Sequence, residues 1–431
     1  MPSSFSAELR AQLEACAYPG YVYGYPHKKA YRPLPPVSVV DAWRDEERSR
    51  LFAYVHLPFC NQRCSFCNLF TLVPADRSVI RPYLDALTRQ MDVYARLIPS
   101  GFSRLYIGGG TPTYLEAAEL RRLFGDLRRL LGVDPCRTQG CIEASPDTLD
   151  AEKVETLAEL GIQRLSLGVQ SFDLDELQAV NRRFDFIAHR EAIDLIARAG
   201  FPRFNIDLIY GLPGQTLASW RHSLQQAIDS PANGLFLYPL YIRPLTGLAR
   251  RSSLDAPTTH QIASMYDLAV DRLRLAGFRQ VTMRQFRRDK AEEADDYRCQ
   301  RDGMLGLGAG ARSYTTALHY STPWRMVARN IRTVIDDYIA ADHHWIVHGF
   351  RLDADEQQRR HVIQGLLYAG LAPHEADTFP GEFAALEAEG LIERGEHIKL
   401  TPRGVRHADI VGGLFFSPRV RSLIAEYEYD T

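Results

Sequence analysis

Long hydrophobic stretches are missing from this chain of 431 residues. No apolar run approaches the roughly 18 residues that a membrane-spanning helix needs. The N-terminal segment also lacks the basic and apolar parts of a secretory signal peptide. An excess of charge of one sign is missing as well, because 51 Lys and Arg residues offset 53 Asp and Glu residues. We therefore expect neither membranes nor nucleic acids as binding partners.

Cysteine is scarce, with seven residues in the chain. This content does not support the disulfide framework of a small secreted fold, so we expect a cytoplasmic protein in a reducing compartment. Three of the seven nevertheless lie close together, at Cys60, Cys64 and Cys67. Cys136 and Cys141 are spaced C-x4-C far along the chain, and we expect them to be structural or incidental thiols.

Short β-rich runs alternate with amphipathic helices between residues 51 and 240. Six strands are predicted, at 51–57, 103–109, 138–144, 163–169, 203–210 and 234–241. Helices are predicted between them over 116–131 and 150–160, and a further helix over 258–276. Six β/α units in series indicate an α/β fold with a parallel sheet, either open or curled into a partial (β/α)6 barrel. Such sheets place their chemistry at the carboxyl ends of the strands.

The sequence divides into three predicted parts. Residues 1–50 form an N-terminal arm, 51–290 the barrel, and 291–431 a mostly helical domain. The charged stretch 284–298 is predicted to be a solvated connector between the last two. The end of the chain has the pattern helix, turn, strand pair and helix, which resembles a winged helix. That likeness alone does not establish nucleic-acid binding.

The arm is rich in proline and tyrosine, a composition that is untypical of a disordered tail. It also carries a cluster of basic residues, namely His27, Lys28, Lys29 and Arg32. Two interpretations of this cluster stay open. It closes over a substrate and excludes water, or it belongs to a solvated loop that packs through its tyrosines.

The three cysteines directly follow the first predicted strand, at the end where this class of sheet places its chemistry. Three thiolates can converge on one metal centre, but zinc would then recruit a further His or Cys ligand. A [4Fe–4S] cluster gives the better account, because each of its four irons needs a terminal ligand. Three cysteines leave one iron open, and an open iron can chelate an amine and a carboxylate. That is the arrangement used to cleave S-adenosylmethionine (SAM).

The spacing C-x3-C-x2-C, with Phe66 directly before Cys67, resembles the radical SAM superfamily. The run Gly108-Gly109-Gly110-Thr111, considered together with the three cysteines, points to a smaller group within this superfamily. The sequence is similar to the oxygen-independent coproporphyrinogen III oxidase family, which also includes haem chaperones and class C radical SAM methylases. The resemblance implies a partial (β/α)6 barrel with a mostly helical C-terminal domain. It also implies a [4Fe–4S] cluster bound by the three cysteines, with SAM beside it.

The same resemblance implies a SAM site at the strand ends. Its expected members are Phe66, Gly109, Gly110, Thr111, Glu143, Gln170, Arg182 and Asp207. An arginine such as Arg182 can hold the SAM carboxylate in a bidentate fork. An acidic residue such as Asp207 can accept hydrogen bonds from ribose hydroxyls. Tyr54 matches a family position near the cluster and is a candidate catalytic residue, although a strand tyrosine is more often a core residue.

One departure from the family bears on the reaction. Members that oxidise coproporphyrinogen carry a further cysteine two residues after the third cluster cysteine, and Leu69 stands there in this chain. The oxidase-like arm is nevertheless present. This combination favours a class C methylase or cyclopropane-forming enzyme, which transfers a methyl or methylene group from a second SAM to an sp2 carbon. Oxidative decarboxylation of a porphyrinogen and haem binding as a chaperone are the alternatives.

A second SAM would need its own pocket. The candidates are Gln170, Arg243 and the glycine-rich turn at Gly308 and Ala309, with Gln170 and Arg243 also as candidate catalytic residues. The glycine-rich segment 304–314 is also consistent with a simple tight turn. The expected partners are a small-molecule substrate, either an aromatic heterocycle or a tetrapyrrole, and an electron donor such as flavodoxin or ferredoxin.

Overall fold

The computed structural model describes residues 4–15, 20–22, 24–98, 100–183, 185–244, 246–251, 255–288, 300, 302–323 and 331–427. Its strands are β1 Arg32–Ser38, β2 Leu51–Leu57, β3 Phe102–Gly109, β4 Gln139–Ala144, β5 Arg164–Gln170, β6 Arg203–Tyr210, β7 Gly234–Pro239, β8 Arg279–Gln280, β9 Gln285–Arg287, β10 Met304–Leu307, β11 Arg312–Tyr314, β12 Leu318–Ser321, β13 Trp345–Arg351, β14 Ile392–Arg394 and β15 Ile398–Leu400.

The α-helices lie mainly between the strands and in the C-terminal part. They are α1 Ser4–Ala15, α2 Val39–Trp43, α3 Ile80–Ala95, α4 Ala117–Leu131, α5 Ala151–Glu159, α6 Leu174–Ala179, α7 Phe186–Ala199, α8 Leu217–Asp229, α9 Thr259–Leu275, α10 Ile331–Ala340, α11 Ala354–Gln364, α12 Pro380–Ala388, α13 Pro402–Arg406, α14 Ala408–Leu414 and α15 Pro418–Ala425. No helix in these described ranges is both long enough and apolar enough to span a membrane.

The central sheet confirms the predicted α/β architecture. Strands β2 to β7 lie side by side in chain order, and each pairs in parallel with the next. Strand β2 buries six of its seven residues, as expected for a parallel strand whose two faces are both covered. All six predicted strands are present, with ends within two residues of the prediction. The carboxyl ends of these strands therefore meet at one edge of the sheet.

The predicted helices are present as well, and their ends have physical causes. Helix α4 begins after Glu116, which forms a capping box with Glu119, and it ends at Gly132, whose φ is 63°. Asp150 caps α5 by accepting a hydrogen bond from the Lys153 amide. Thr258 and Gln261 form the capping box of α9. These local signals explain why the helix bounds were readable from the sequence.

The part after residue 290 contributes strands to the main sheet in addition to its helices, which the strand pattern of the sequence does not predict. Strands β10 to β13 join the main sheet, with β10 parallel to β2 and the next three antiparallel. The segment 304–314, predicted as a glycine-rich loop, thus supplies two strands and the turn between them. Its glycines have a packing role, since a Cβ on Gly306 would lie 2.2 Å from the Arg312 carbonyl oxygen.

The described part of the arm continues the sheet. Strand β1 pairs antiparallel with β13 and forms one end of the thirteen-stranded sheet within the described residues. It carries three prolines, at positions 33, 35 and 36. Proline has no amide hydrogen to donate, so such a strand is tolerated at a sheet edge and not in its interior.

The prediction of a solvated connector over 284–298 is wrong for its first residues. Residues 285–287 form β9, and Arg284 and Arg287 are 6% and 3% exposed. Arg284 is stabilised by the carboxylate of Asp409, which lies 125 positions away. A local charge pattern cannot reveal a partner at that distance. Residues 289–298 lie outside the described ranges.

A second hydrophobic core joins the arm to the C-terminal part. Arm residues Leu9, Tyr25 and Tyr31 pack in it with side chains between Phe350 and Val420. The hairpin of β14 and β15 lies among helices α11 to α15, as the winged-helix-like pattern predicted. The N-terminal arm and the C-terminal helices therefore fold as one unit against the sheet.

Candidate active site

The cysteine loop leaves β2 at the carboxyl end of the sheet and is held by backbone hydrogen bonds. The Cys60 amide donates to the Leu72 carbonyl at 3.0 Å, and the Cys67 amide to the Cys64 carbonyl at 3.0 Å. The Ser65 amide donates to the Val180 carbonyl at 2.8 Å, which fastens the loop to the end of α6. Cys60 and Cys64 are buried and Cys67 is partly buried.

The chemistry of these three thiols suits an iron–sulfur cluster. Burial raises the pKa of the Cys60 thiol to about 12, and it also raises the pKa of Cys67. The thiols need strong cationic partners to become the thiolates that bind metal. Among the described residues, no three His, Cys, Asp or Glu side chains converge on a point that suits a single metal ion. A [4Fe–4S] cluster fits this loop, because Cys60, Cys64 and Cys67 would each bind a different iron.

The glycine run after β3 lies directly against this loop. The Thr111 hydroxyl donates to the Cys60 sulfur at 3.5 Å, and the Gly109 amide donates to a Glu143 carboxylate oxygen at 3.2 Å. A Cβ on Gly110 would lie 2.6 Å from the Phe59 carbonyl oxygen and 3.0 Å from the Cys60 sulfur. The backbone here approaches the cysteines more closely than any side chain would allow.

We expect the variant Gly110→Ala to lower SAM cleavage by about 10-fold, because the added methyl group displaces the loop that holds Cys60. The measurement is 5′-deoxyadenosine formation together with iron content per chain. Gly125→Ala is the matched control, since no atom lies within 4 Å of a Cβ at that helix position. Full activity and full iron content in Gly110→Ala would contradict the placement of this glycine at the cluster.

Two carboxylates of the predicted SAM site lie on β4 and β6, the strands on either side of β5. Glu143, at the end of β4, accepts a hydrogen bond from the Tyr106 hydroxyl at 2.6 Å. Asp207, in β6, accepts one from the Ser166 hydroxyl at 2.9 Å. Burial raises the pKa of Glu143, and burial with the nearby Glu143 charge raises the pKa of Asp207 to about 7. Buried acceptors of this kind suit the hydroxyl and amine donors of a nucleoside ligand.

We expect Asp207→Asn to stabilise the SAM-free protein at pH 8 while weakening SAM binding. The folded-state pKa of about 7 lies above the ordinary value of 3.8, so the native state loses stability as pH rises from about 4 to about 7. The substitution removes this loss of folding free energy, which is at most about 4 kcal/mol. Urea unfolding at pH 5 and pH 8 measures the difference. Asp229→Asn, at an exposed helix end, is the control. An equal increase in the free energy of unfolding of Asp207→Asn at both pH values would contradict a raised pKa of Asp207.

Arg182 connects the cysteine loop with the strand ends. One of its terminal nitrogens lies 3.4 Å from the Cys64 sulfur, and the other donates to the Ser145 hydroxyl at 3.1 Å and to the Gly168 carbonyl. Its Nε is buried without a hydrogen-bond partner among the described residues. An unsatisfied guanidinium nitrogen beside a cluster ligand fits the predicted contact with the SAM carboxylate.

Gln170 and Phe66 also lie in this region. Gln170 ends β5 with a φ of 73°, a conformation that costs free energy in a residue other than glycine. Phe66 packs against the apolar cluster that contains Val180 and Ile209. Both placements are consistent with the predicted SAM contacts, and their roles stay predictions.

Tyr54 belongs to a hydrogen-bonded chain at the cysteine end of β2. His56 Nε2 donates to the Phe70 carbonyl at 2.9 Å, so Nδ1 accepts from the Tyr54 hydroxyl at 3.0 Å. Burial lowers the pKa of His56 to about 4, and the ring is therefore neutral at physiological pH. The tyrosine hydroxyl is thus held in one orientation.

A basic pocket opens beside Tyr54. We define it by the residues Lys28, Lys29, Tyr31, Tyr54, His56, Leu69, Phe70, Gly310, Arg312, Ser321, His348 and Tyr427. Its volume is about 720 Å³ when the open solvent at its mouth is included. No acidic side chain is among these described lining residues. Of the basic cluster in the arm, Lys28 and Lys29 line this pocket, whereas Arg32 donates to the backbone carbonyls of Lys29, Tyr31 and Leu423. Closure of the arm over a substrate stays a prediction.

Sequence reasoning missed part of this pocket. Arg312 lies inside the segment 304–314, which was singled out for its glycines. His348 comes from β13 and Tyr427 from the end of the chain, and neither has a local signal that could have identified it. Only the fold brings these three residues to the arm.

The residues proposed for a second SAM lie in two places. Arg243 is half-buried near the arm, where its guanidinium lies 5.1 Å from the centroid of the Tyr241 ring. The Gly308 amide donates to Gln90 and the Ala309 amide to the Tyr83 hydroxyl, at 2.9 and 3.0 Å. These two amides are therefore already bonded within the protein, and a ligand would have to use other atoms of the turn. A second SAM site stays a prediction.

Known proteins resemble this chain over most of its length. The profile of the Radical SAM superfamily matches residues 54–227. The heme chaperone HemW of Bacillus subtilis is 31% identical over 272 residues, which cover 61% of this chain and 70% of HemW. An oxygen-independent coproporphyrinogen III oxidase of Pseudomonas aeruginosa is 30% identical over 355 residues, covering 77% of this chain and 75% of the oxidase. The chain belongs to the HemN-like family of radical SAM proteins.

A solved structure supports the same assignment. Escherichia coli coproporphyrinogen III oxidase (HemN), a radical SAM enzyme, superposes with a TM-score of 0.81 at 25% identity, over 92% of this chain and 96% of HemN. The expected α/β fold and helical C-terminal domain are confirmed. As a HemN-like radical SAM enzyme, the chain uses a [4Fe–4S] cluster and SAM. The relatives are oxidases and chaperones, so the preferred interpretation as a methylase or cyclopropane-forming enzyme is not supported.

Proposed function

We propose that this protein oxidises the propionate side chains of a porphyrinogen, as an oxygen-independent coproporphyrinogen III oxidase. The observation that carries the proposal is the basic pocket beside the cysteine loop. It presents the side chains of Lys28, Lys29, Arg312 and His348 next to Tyr54. Basic side chains at one rim suit a substrate with several carboxylates.

The bound cluster and SAM would supply a 5′-deoxyadenosyl radical, which removes one hydrogen atom from a substrate carbon. Each propionate then loses CO2 and one electron to an acceptor, and a vinyl group remains. The residues of this chain hold the substrate for that step. Lys28, Lys29 and Arg312 bind carboxylates, and the neutral His56 fixes the Tyr54 hydroxyl at the pocket wall. The arm excludes water from the radical. An electron donor such as flavodoxin or ferredoxin belongs to the proposal.

The arm favours oxidation over haem transport. Oxidases from Pseudomonas aeruginosa and Escherichia coli match 77% and 82% of this chain, whereas HemW of Bacillus subtilis matches 61%. The arm also supplies three of the pocket residues, Lys28, Lys29 and Tyr31. Substrate enclosure of this kind serves a reaction more than the transfer of a ligand to another protein.

Leu69 supports haem chaperoning as a second candidate. It lines the pocket and is 49% exposed, at the position where coproporphyrinogen-oxidising members carry a cysteine. The pocket therefore presents an apolar wall there, and an apolar wall suits the face of a haem ring. The same cations would then bind the haem propionates.

Anaerobic turnover separates the candidates. The cluster-containing protein is incubated with coproporphyrinogen III, SAM and a reductant, and the products are identified by mass spectrometry. We expect loss of CO2 and two hydrogens from each oxidised propionate, with 5′-deoxyadenosine formed in proportion. SAM cleavage without decarboxylation, together with a stoichiometric Soret shift on haem titration, would support the chaperone instead. Deuterium transfer from methyl-deuterated SAM into 5′-deoxyadenosine would contradict both and favour a methylase.

A further inference from the structure

A buried carboxylate outside the active site touches three parts of the chain. Asp409, in α14, is 2% exposed. One of its oxygens accepts the Val22 amide of the arm at 2.8 Å. The other accepts the Tyr241 hydroxyl at 2.8 Å and a hydrogen bond from Arg284, beside β9. The arm, the mouth of the barrel and the C-terminal helices therefore meet at one side chain.

Arg284 makes further contacts at the point where these three parts meet. Its guanidinium also donates to the Tyr241 hydroxyl, and it lies 4.0 Å from the centroid of the Tyr21 ring. This is the geometry of a cation–π contact. The charges of Arg284 and Asp409 are both removed from water, with side chains 7% and 2% exposed, so each depends on the other.

The arm is packed tightly where it passes this pair. A Cβ on Gly412 would lie 2.8 Å from Val22, so α14 and the arm are in direct contact. Tyr21 also packs edge-to-face on Tyr238, at the end of β7, with 6.2 Å between ring centroids. A few residues further on, the Tyr25 amide donates to Gln300 at 2.7 Å, and the chain then reaches Lys28 and Lys29 of the basic pocket.

We propose that Asp409 and Arg284 are positioning residues that hold the arm at the barrel mouth and so place Lys28 and Lys29 at the substrate. We call this pair, with its contacts to Tyr21 and Val22, the latch. The step from arm position to turnover rests on the proposed function. Neither residue lines the basic pocket. Their effect passes through Tyr21 and Val22, which anchor the arm ahead of its two lysines.

Amide hydrogen exchange on the cluster-containing protein tests the latch without any substrate. In Asp409→Asn we expect exchange at the Val22 and Tyr25 amides to accelerate at least 10-fold, with the strands β2 to β7 unchanged. Tyr21→Ala, which leaves the buried ion pair in place, should accelerate the same amides by a smaller factor. Glu375→Gln is the control, because it removes a contact with His361 inside the C-terminal part and does not touch the arm. Unchanged arm exchange in both test variants, or equal acceleration throughout the C-terminal helices, would overturn the latch.

The amount of product formed per SAM cleaved gives a second measurement. In Asp409→Asn we expect substrate-free SAM cleavage within twofold of the native protein, while product formed per SAM cleaved falls about 10-fold. A parallel loss of both would mean a purely structural role and would overturn the assignment as positioning residues. Failure of the native protein to convert a porphyrinogen would overturn the proposed function alone, since the exchange experiment does not depend on it.

Discussion

Replacement of Cys64 by serine is expected to abolish SAM cleavage, with a loss on the order of 10³-fold or more. Cys64 is buried in the loop after β2, and its sulfur lies 3.4 Å from Arg182. Serine keeps the volume of the side chain but replaces a soft thiolate ligand by a hydroxyl, which iron–sulfur clusters do not favour. The iron content, the absorbance near 400 nm and the yield of 5′-deoxyadenosine should therefore fall together.

The matched control is another cysteine of the same chain. Cys136 is exposed, and Cys136→Ser should keep the cluster and the activity. Cys60→Ser and Cys67→Ser are expected to behave like Cys64→Ser, because each thiol would bind a separate iron. Retention of a full cluster in any of these three variants would contradict the ligand set.

The double variant Lys28→Met with Arg312→Met is expected to raise the KM for coproporphyrinogen III by about 100-fold. Each lost charge-assisted hydrogen bond to a carboxylate costs about 1.5–3 kcal/mol. Burial and the charges of Arg312, Arg243 and Lys29 lower the pKa of Lys28 to about 7. The two side chains thus oppose each other in the free protein, and their removal relieves this repulsion.

Three measurements check this prediction. Steady-state kinetics should show the change in KM, and substrate-free SAM cleavage should stay at the native rate. Thermal unfolding should show no loss of stability. Lys399→Met, which removes an exposed lysine of β15, is the control. A native KM in the double variant would exclude the basic pocket as the binding site for the substrate carboxylates.

The parts of the fold that depend on local signals were predictable. Strand β2, the caps of α4 and α9, and the position of the cysteines at a strand end all follow from short stretches of sequence. Glu143 and Gln170 likewise lie at the carboxyl ends of β4 and β5, which parallel pairing brings to one edge of the sheet, and their role in SAM binding stays a prediction.

The parts that depend on distant partners were not predictable. The local pattern predicts a solvated Arg284 because its charged neighbours dominate it, while its partner Asp409 lies far along the chain. The glycines around Gly306 predict a loop, although they let β10 and β11 approach each other. The pocket residue His348 is brought to the arm only by the pairing of β1 with β13.

The distance along the chain between the arm and its docking partner sets an order of assembly during translation. Val22 precedes Asp409 by 387 positions, so the arm is synthesised well before the partner that holds it. Strands β2 to β7 are neighbours in chain order and can pair while the C-terminal helices are still being synthesised. The Val22 amide therefore lacks its Asp409 acceptor while the strands around the cysteine loop can already pair.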